Sequence, residues 1–166
     1  MHTHLLKGAD RVGGWRNHFK RTERWQRRAA IALEDMPYTK FHDALDFALA
    51  YFVWAHSLRE WLLKDGVVTR QELDCRLEEE DTWPIVKDLA NRSRHFVIDR
   101  SPTDAEWSMS QEYSSFSARF EGRERVHANL YYGGQKHRLI GVVASSGAMW
   151  RRVLVAVGMD VDSITN

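Results

Sequence analysis

Between Lys40 and Lys64 the chain carries helical spacing on two faces at once. Phe41, Leu45, Leu49, Phe52 and Leu63 line one face, and Phe47, Trp54, Leu58 and Trp61 line another. A helix apolar on two sides needs neighbours on both, so this segment predicts the central helix of a bundle. Pro37 separates it from what precedes, and Asp65-Gly66 closes it with a turn.

The neighbours can be read on either side. Trp15, Phe19, Thr22, Ala29, Leu33 and Met36 fall near helical spacing and predict a helix over about 15–36, after a loose, glycine-punctuated start over 1–14. Thr69-Arg-Gln-Glu72 has the form of a capping box and opens a short helix around Cys75. Asp81 or Thr82 caps a further helix that holds Pro84 in its first turn and ends near Arg94. The period then changes to two. Residues 112–121, 125–132 and 138–143 predict strands, with a hairpin turn over Tyr132–Lys136. Ser145-Ser146 looks like the N-cap of a last helix over about 146–157, stopped by Gly158. The expected fold is α+β and mainly α: one domain over 1–166, a helical bundle with a small antiparallel meander before the C-terminal helix.

Composition narrows the functional classes. Hydrophobic residues at 43% and charged residues at 28% are those of an ordinary globular chain long enough to bury a core without disulfides. The single cysteine, Cys75, suits a cytoplasmic setting and leaves no cysteine-rich metal site. The eight histidines lack metal-ligand spacing, so neither metal nor cofactor is expected; His127 and His137 are on neighbouring strands and could face one another. No phosphate loop, dinucleotide fingerprint or nucleophile elbow occurs, and no uninterrupted apolar run predicts a signal peptide or membrane span.

Charge is unevenly spread. Residues 1–36 hold eight Lys/Arg, Arg24 and Arg28 among them, against four acids, whereas residues 37–81 hold five basic residues against ten acids. The basic segment could contact RNA phosphates or pair with the acidic middle of its own chain or of a second subunit. Trp15, Trp25, Trp107 and Trp150 exceed what one core of this size needs, which points to an interface, most simply in a homodimer.

Polar chemistry concentrates in two helical stripes. His56 and Arg59 interrupt the apolar surface of the central helix, and Asp88, Asn91 and His95 recur at three- or four-residue offsets along the later one. Side by side, these stripes would bring an acid, an amide, guanidiniums and imidazoles together, either as a ligand pocket or as a network fixing helix register.

The order His56-x-x-Arg59-x-Trp61, then a helix ending Asp88-Leu-Ala-Asn-x-x-Arg-His95, resembles small bacterial and phage-borne helical proteins of the HEPN type (higher eukaryote and prokaryote nucleotide-binding domains) over roughly residues 40–98. The resemblance implies a helical bundle serving defence or toxin–antitoxin systems, often dimeric and in many cases a metal-independent ribonuclease. In such a site a histidine and an arginine activate the 2′-hydroxyl and stabilise the phosphorane. Here His95 with Arg59 or Arg94 would take those roles, and His56, Asp88, Asn91, Arg24 and Arg28 would bind. The family's arginine and histidine are separated by four to six residues. Arg92 and Arg94 stand closer than that to His95, and Arg11 to His18 alone has the spacing. Two functions follow as expectations: an interaction module with a protein or RNA partner and no membrane, or an RNA-cleaving enzyme.

Overall fold

The structure, a computed structural model, describes residues 13–94, 102–114 and 125–165. His95, and residues 115–121 of the first expected strand, lie outside the described residues.

The first helix, α1 (Gly14–Glu34), buries Trp15, Phe19, Thr22, Ala29 and Leu33, as their spacing requires, together with His18 and Ala32. Its start is tied down. The Trp15 N–H donates to Asp65 Oδ2 at 2.6 Å, so a carboxylate from beyond the second helix meets the free amides and positive dipole end of the first. Glycine permits this approach: a Cβ on Gly14 would lie 2.6 Å from that oxygen.

The second helix, α2 (Phe41–Lys64), packs against α1, against α4 (Trp83–Arg94) and against α5 (Leu139–Ala156). It is the central helix of the bundle, but its buried stripe differs from the expected one. Ala44, Ala48, Tyr51, Phe52, Ala55, Leu58 and Leu62 are buried, whereas Phe41, Leu45, Leu49 and Leu63 are half-buried and Phe47 is exposed. Alanines let the neighbouring helices approach closely between the buried Tyr51, Phe52, Leu58 and Leu62, and Phe41, Leu45, Leu49 and Leu63 lie along the margins of the contact. The short α3 (Arg70–Glu78) is capped by Thr69, whose Oγ1 accepts from the Glu72 N–H at 3.2 Å.

Strands β1 (Ser108–Ser114), β2 (Arg125–Tyr132) and β3 (Gln135–Arg138) form an antiparallel sheet in that order. Tyr132 pairs with Gln135, leaving a two-residue loop in which Gly133 and Gly134 both take positive φ, the turn that matches strand twist. His127 and His137 do not face one another. His127 is opposite Glu112 and touches Arg138 through Nδ1 at 3.1 Å, and His137 is opposite Leu130.

The expected third strand over 138–143 is corrected: residues from Leu139 onward are helical, and Ser145-Ser146 is inside α5 rather than at its cap. Leu139, Val142, Val143, Ser146, Met149, Trp150, Val153 and Leu154 are buried with a period of three to four, so packing on the bundle and on β2 overrides the β-branched run. By length and apolarity α5 could cross a membrane. Here it is a core helix whose outer arginines reach carboxylates on other segments, Arg151 to Glu23 and Arg152 to Glu80 (2.9 and 2.5 Å). A short α6 (Asp162–Thr165) follows and seats Ile164 in the core.

Trp15 and Trp150 are core residues, at 5% and 1% exposure, so neither is free for an interface. Trp25 and Trp107 are half-buried against the core edge.

Candidate functional site

The two polar stripes do not merge into one site. The structure divides them into three groups, and the division follows from helix geometry, since each residue step turns the side chain by about 100°.

Arg59 turns toward α3. Its Nε and Nη2 donate to the two Asp74 oxygens at 2.6 and 2.7 Å, and Nη1 donates to Glu60 at 2.6 Å. The bidentate pair holds the Asp74 carboxyl below its usual range and the guanidinium above its own. With each of its three nitrogens bonded to a carboxylate, Arg59 fastens α2 to α3.

Asp88 turns toward the sheet. It is 1% exposed, and its Oδ2 accepts from the Tyr132 hydroxyl at 2.6 Å and from the Asp104 N–H at 2.9 Å. Asp104 in turn accepts from the Gly133 N–H at 2.7 Å and from the Glu106 N–H at 2.9 Å. This chain of bonds ties α4 to the β2–β3 turn. Burial, reinforced by the Asp88 hydrogen bond, pushes the Tyr132 phenol upward.

The third group is the candidate site. His56 is half-buried, with its ring stacked on Trp83 at 5.5 Å and nearly parallel, 7° apart. Arg94 Nη2 lies 3.1 Å from His56 Nδ1 and 3.0 Å from Asn91 Oδ1, and Arg94 Nε donates to the Ala90 carbonyl at 3.2 Å. An arginine can only donate, so His56 Nδ1 must accept, and the neutral ring holds its proton on Nε2. His56 is pushed down to about 4, first by burial and then by the positive charges of Arg94, Arg59 and Lys87.

The outcome is a group rich in unspent donors. Among the described residues Arg94 Nη1, His56 Nε2 and the Lys87 ammonium have no hydrogen-bond partner, and no carboxylate bonds to any of the three side chains. Such a set suits an anion with several acceptor oxygens, of which phosphate is the commonest. It holds no group of carboxylates, thiols and imidazoles fit for a metal; among the described residues no such cluster occurs anywhere.

The expected binding residues on α1 occupy separate ground. Arg24 is exposed, and the Arg28 guanidinium lies 4.9 Å from the centre of the Trp25 ring. Among the described residues no ion pair joins the basic side chains of α1 to the acidic segment over 37–81. That segment's Glu79 and Glu80 pair instead with Arg76 and Arg152.

Sequence reasoning missed Trp83 and Lys87. Lys87, Asn91 and Arg94 follow the i, i+4, i+7 pattern, so the stripe was present to be read one residue away from Asp88. Trp83 left no comparable signal, because a tryptophan at a helix start reads as core. Compared with known proteins, the chain matches no family model, no curated protein and no solved structure.

Proposed function

We propose that the chain is a binding module of a bacterial or phage defence or toxin–antitoxin type system, acting in the cytoplasm, and that its α2–α4 donor group takes phosphates of RNA. One observation carries the binding reading: a half-buried neutral imidazole is bonded to Arg94 at 3.1 Å beside Lys87, with the donors of all three side chains incompletely used. The setting rests on the resemblance to HEPN-type domains. The exposed Arg24 on α1 would add sequence-independent phosphate contacts.

Binding is favoured over cleavage because Arg59, one of the two arginines named for catalysis, is engaged by Asp74 and Glu60. Asp88, named for binding, is committed to Tyr132 and Asp104. The endoribonuclease alternative, with His95 as its acid/base and Arg94 as its cation, could draw on the described residues only through Arg94 and the His56 imidazole in contact with it. A base lowered to about 4 is free at neutral pH but weak.

Fluorescence anisotropy with a short labelled single-stranded RNA at low salt separates these readings. Wild-type protein should bind, and affinity should fall with salt at roughly −0.7 in log–log slope per phosphate neutralised. Arg94→Glu should weaken binding by about tenfold or more. Intact RNA after incubation supports the module; cleavage that survives a chelator and vanishes in His95→Ala supports the nuclease. Failure of wild-type protein to bind RNA at low salt would retire both.

A further inference from the structure

Away from the donor group, α1 and the start of α2 enclose an open groove of about 710 Å³, lined by Trp25, Tyr38, Lys40, Asp43, Asp46 and Phe47. Its aromatic side chains are unusually available. Tyr38 is 77% exposed and Phe47 38%, and the Phe47 ring lies 6.2 Å from that of Trp25 at a tilt of 41°. Tyr38 and Phe47 thus present ring surface to the groove beside the half-buried Trp25, where a ligand can stack. Asp43 and Asp46 stand one helical turn apart on the groove and carry no hydrogen bond or ion pair among the described residues, so both carboxylates are open to a donor. Aromatic faces beside unpaired carboxylates favour a cation that is also flat and apolar on its faces, which describes a guanidinium better than an ammonium. The protein already makes half of this arrangement internally, since Arg28 lies over the Trp25 ring at 4.9 Å.

We propose that this groove binds an arginine side chain presented by a basic segment of a partner polypeptide, with Tyr38 and the Trp25–Phe47 pair against the guanidinium faces and Asp43 and Asp46 accepting its N–H groups. The site gives the module a protein-recognition surface separate from the α2–α4 donor group.

The test uses no nucleic acid, so it stands apart from the RNA reading. A labelled oligoarginine peptide is titrated against the full chain, with an oligocitrulline peptide as the uncharged isostere. Oligoarginine should bind and oligocitrulline should bind about tenfold more weakly or less. Tyr38→Ala, which removes a mostly exposed ring and should leave the circular dichroism spectrum unchanged, should weaken oligoarginine binding about tenfold, and Asp43→Asn with Asp46→Asn should do the same. Glu78→Gln with Glu79→Gln, at the acidic run elsewhere, should leave it unchanged. Equal binding of the two peptides, or an effect of the Glu78/Glu79 pair as large as that of Asp43/Asp46, would overturn the proposal. So would a wild-type dimer that Tyr38→Ala dissociates, since a second copy would then cover the groove.

Discussion

Between pH 6.5 and 4 the protein should lose about 3 kcal/mol of stability through His56 alone. The imidazole is held neutral in the fold, lowered from 6.5 to about 4 by burial and by Arg94, Arg59 and Lys87. Above 6.5 neither folded nor unfolded chain binds the proton, and the full stability is present. Below it the unfolded chain takes up a proton that the folded chain refuses until about 4, so the balance shifts steadily toward unfolding. His18 acts in the same direction. It is 1% exposed between Trp54 and Trp61, its Nε2 bonds the Trp54 carbonyl at 3.0 Å, and burial pushes it down. Urea unfolding at a series of pH values should give midpoints that fall steeply over this window. His56→Gln should flatten the fall, leaving the part due to His18. Wild-type midpoints that stay level from pH 7 to 4.5 would contradict the account of both residues.

Trp150→Ala should cost about 3–5 kcal/mol, the largest effect expected of any single substitution discussed. Trp150 is 1% exposed on α5 and meets Trp83 edge-to-face at 5.8 Å and 82°. Trp83 in turn supports the His56 ring, so the cavity would open directly behind the donor group. RNA affinity should therefore fall along with stability. Trp150→Phe should cost far less, because the indole Nε1 has no hydrogen-bond partner and only part of the volume is lost. Urea unfolding of the two variants checks the difference; near-equal costs would show that filled volume is not what Trp150 contributes.

The fold was largely legible because helix α2 is long and doubly apolar, and because Thr69, Gly66 and Gly133-Gly134 punctuate the chain with local chemistry. What escaped was decided by packing. Leu139–Val143 has strand composition, yet its side chains complete a helical stripe that runs on to Leu154. On α2 Phe52 and Leu58 are buried as their spacing predicts, but Ala44, Ala48 and Ala55 share that buried stripe while Phe41, Leu45, Leu49 and Leu63 do not. In the candidate site, His56, Asn91 and Arg94 were within reach of spacing arguments. The departures of Arg59 to Asp74 and of Asp88 to Tyr132 were not, since both depend on partners distant in sequence that only the folded arrangement brings near. His95 lies outside the described residues.

The central claim is that the His56–Arg94 group receives phosphate. The most direct measurement is the proton–nitrogen spectrum of the histidine rings in labelled protein, recorded at neutral pH as a short single-stranded RNA is added. His56 should appear as the neutral ring protonated on Nε2, its resonances should move as RNA binds, and both the movement and the binding should be strongly reduced in Arg94→Glu. RNA that binds while the His56 resonances stay fixed, or a His56 spectrum indifferent to Arg94→Glu, would contradict the assignment.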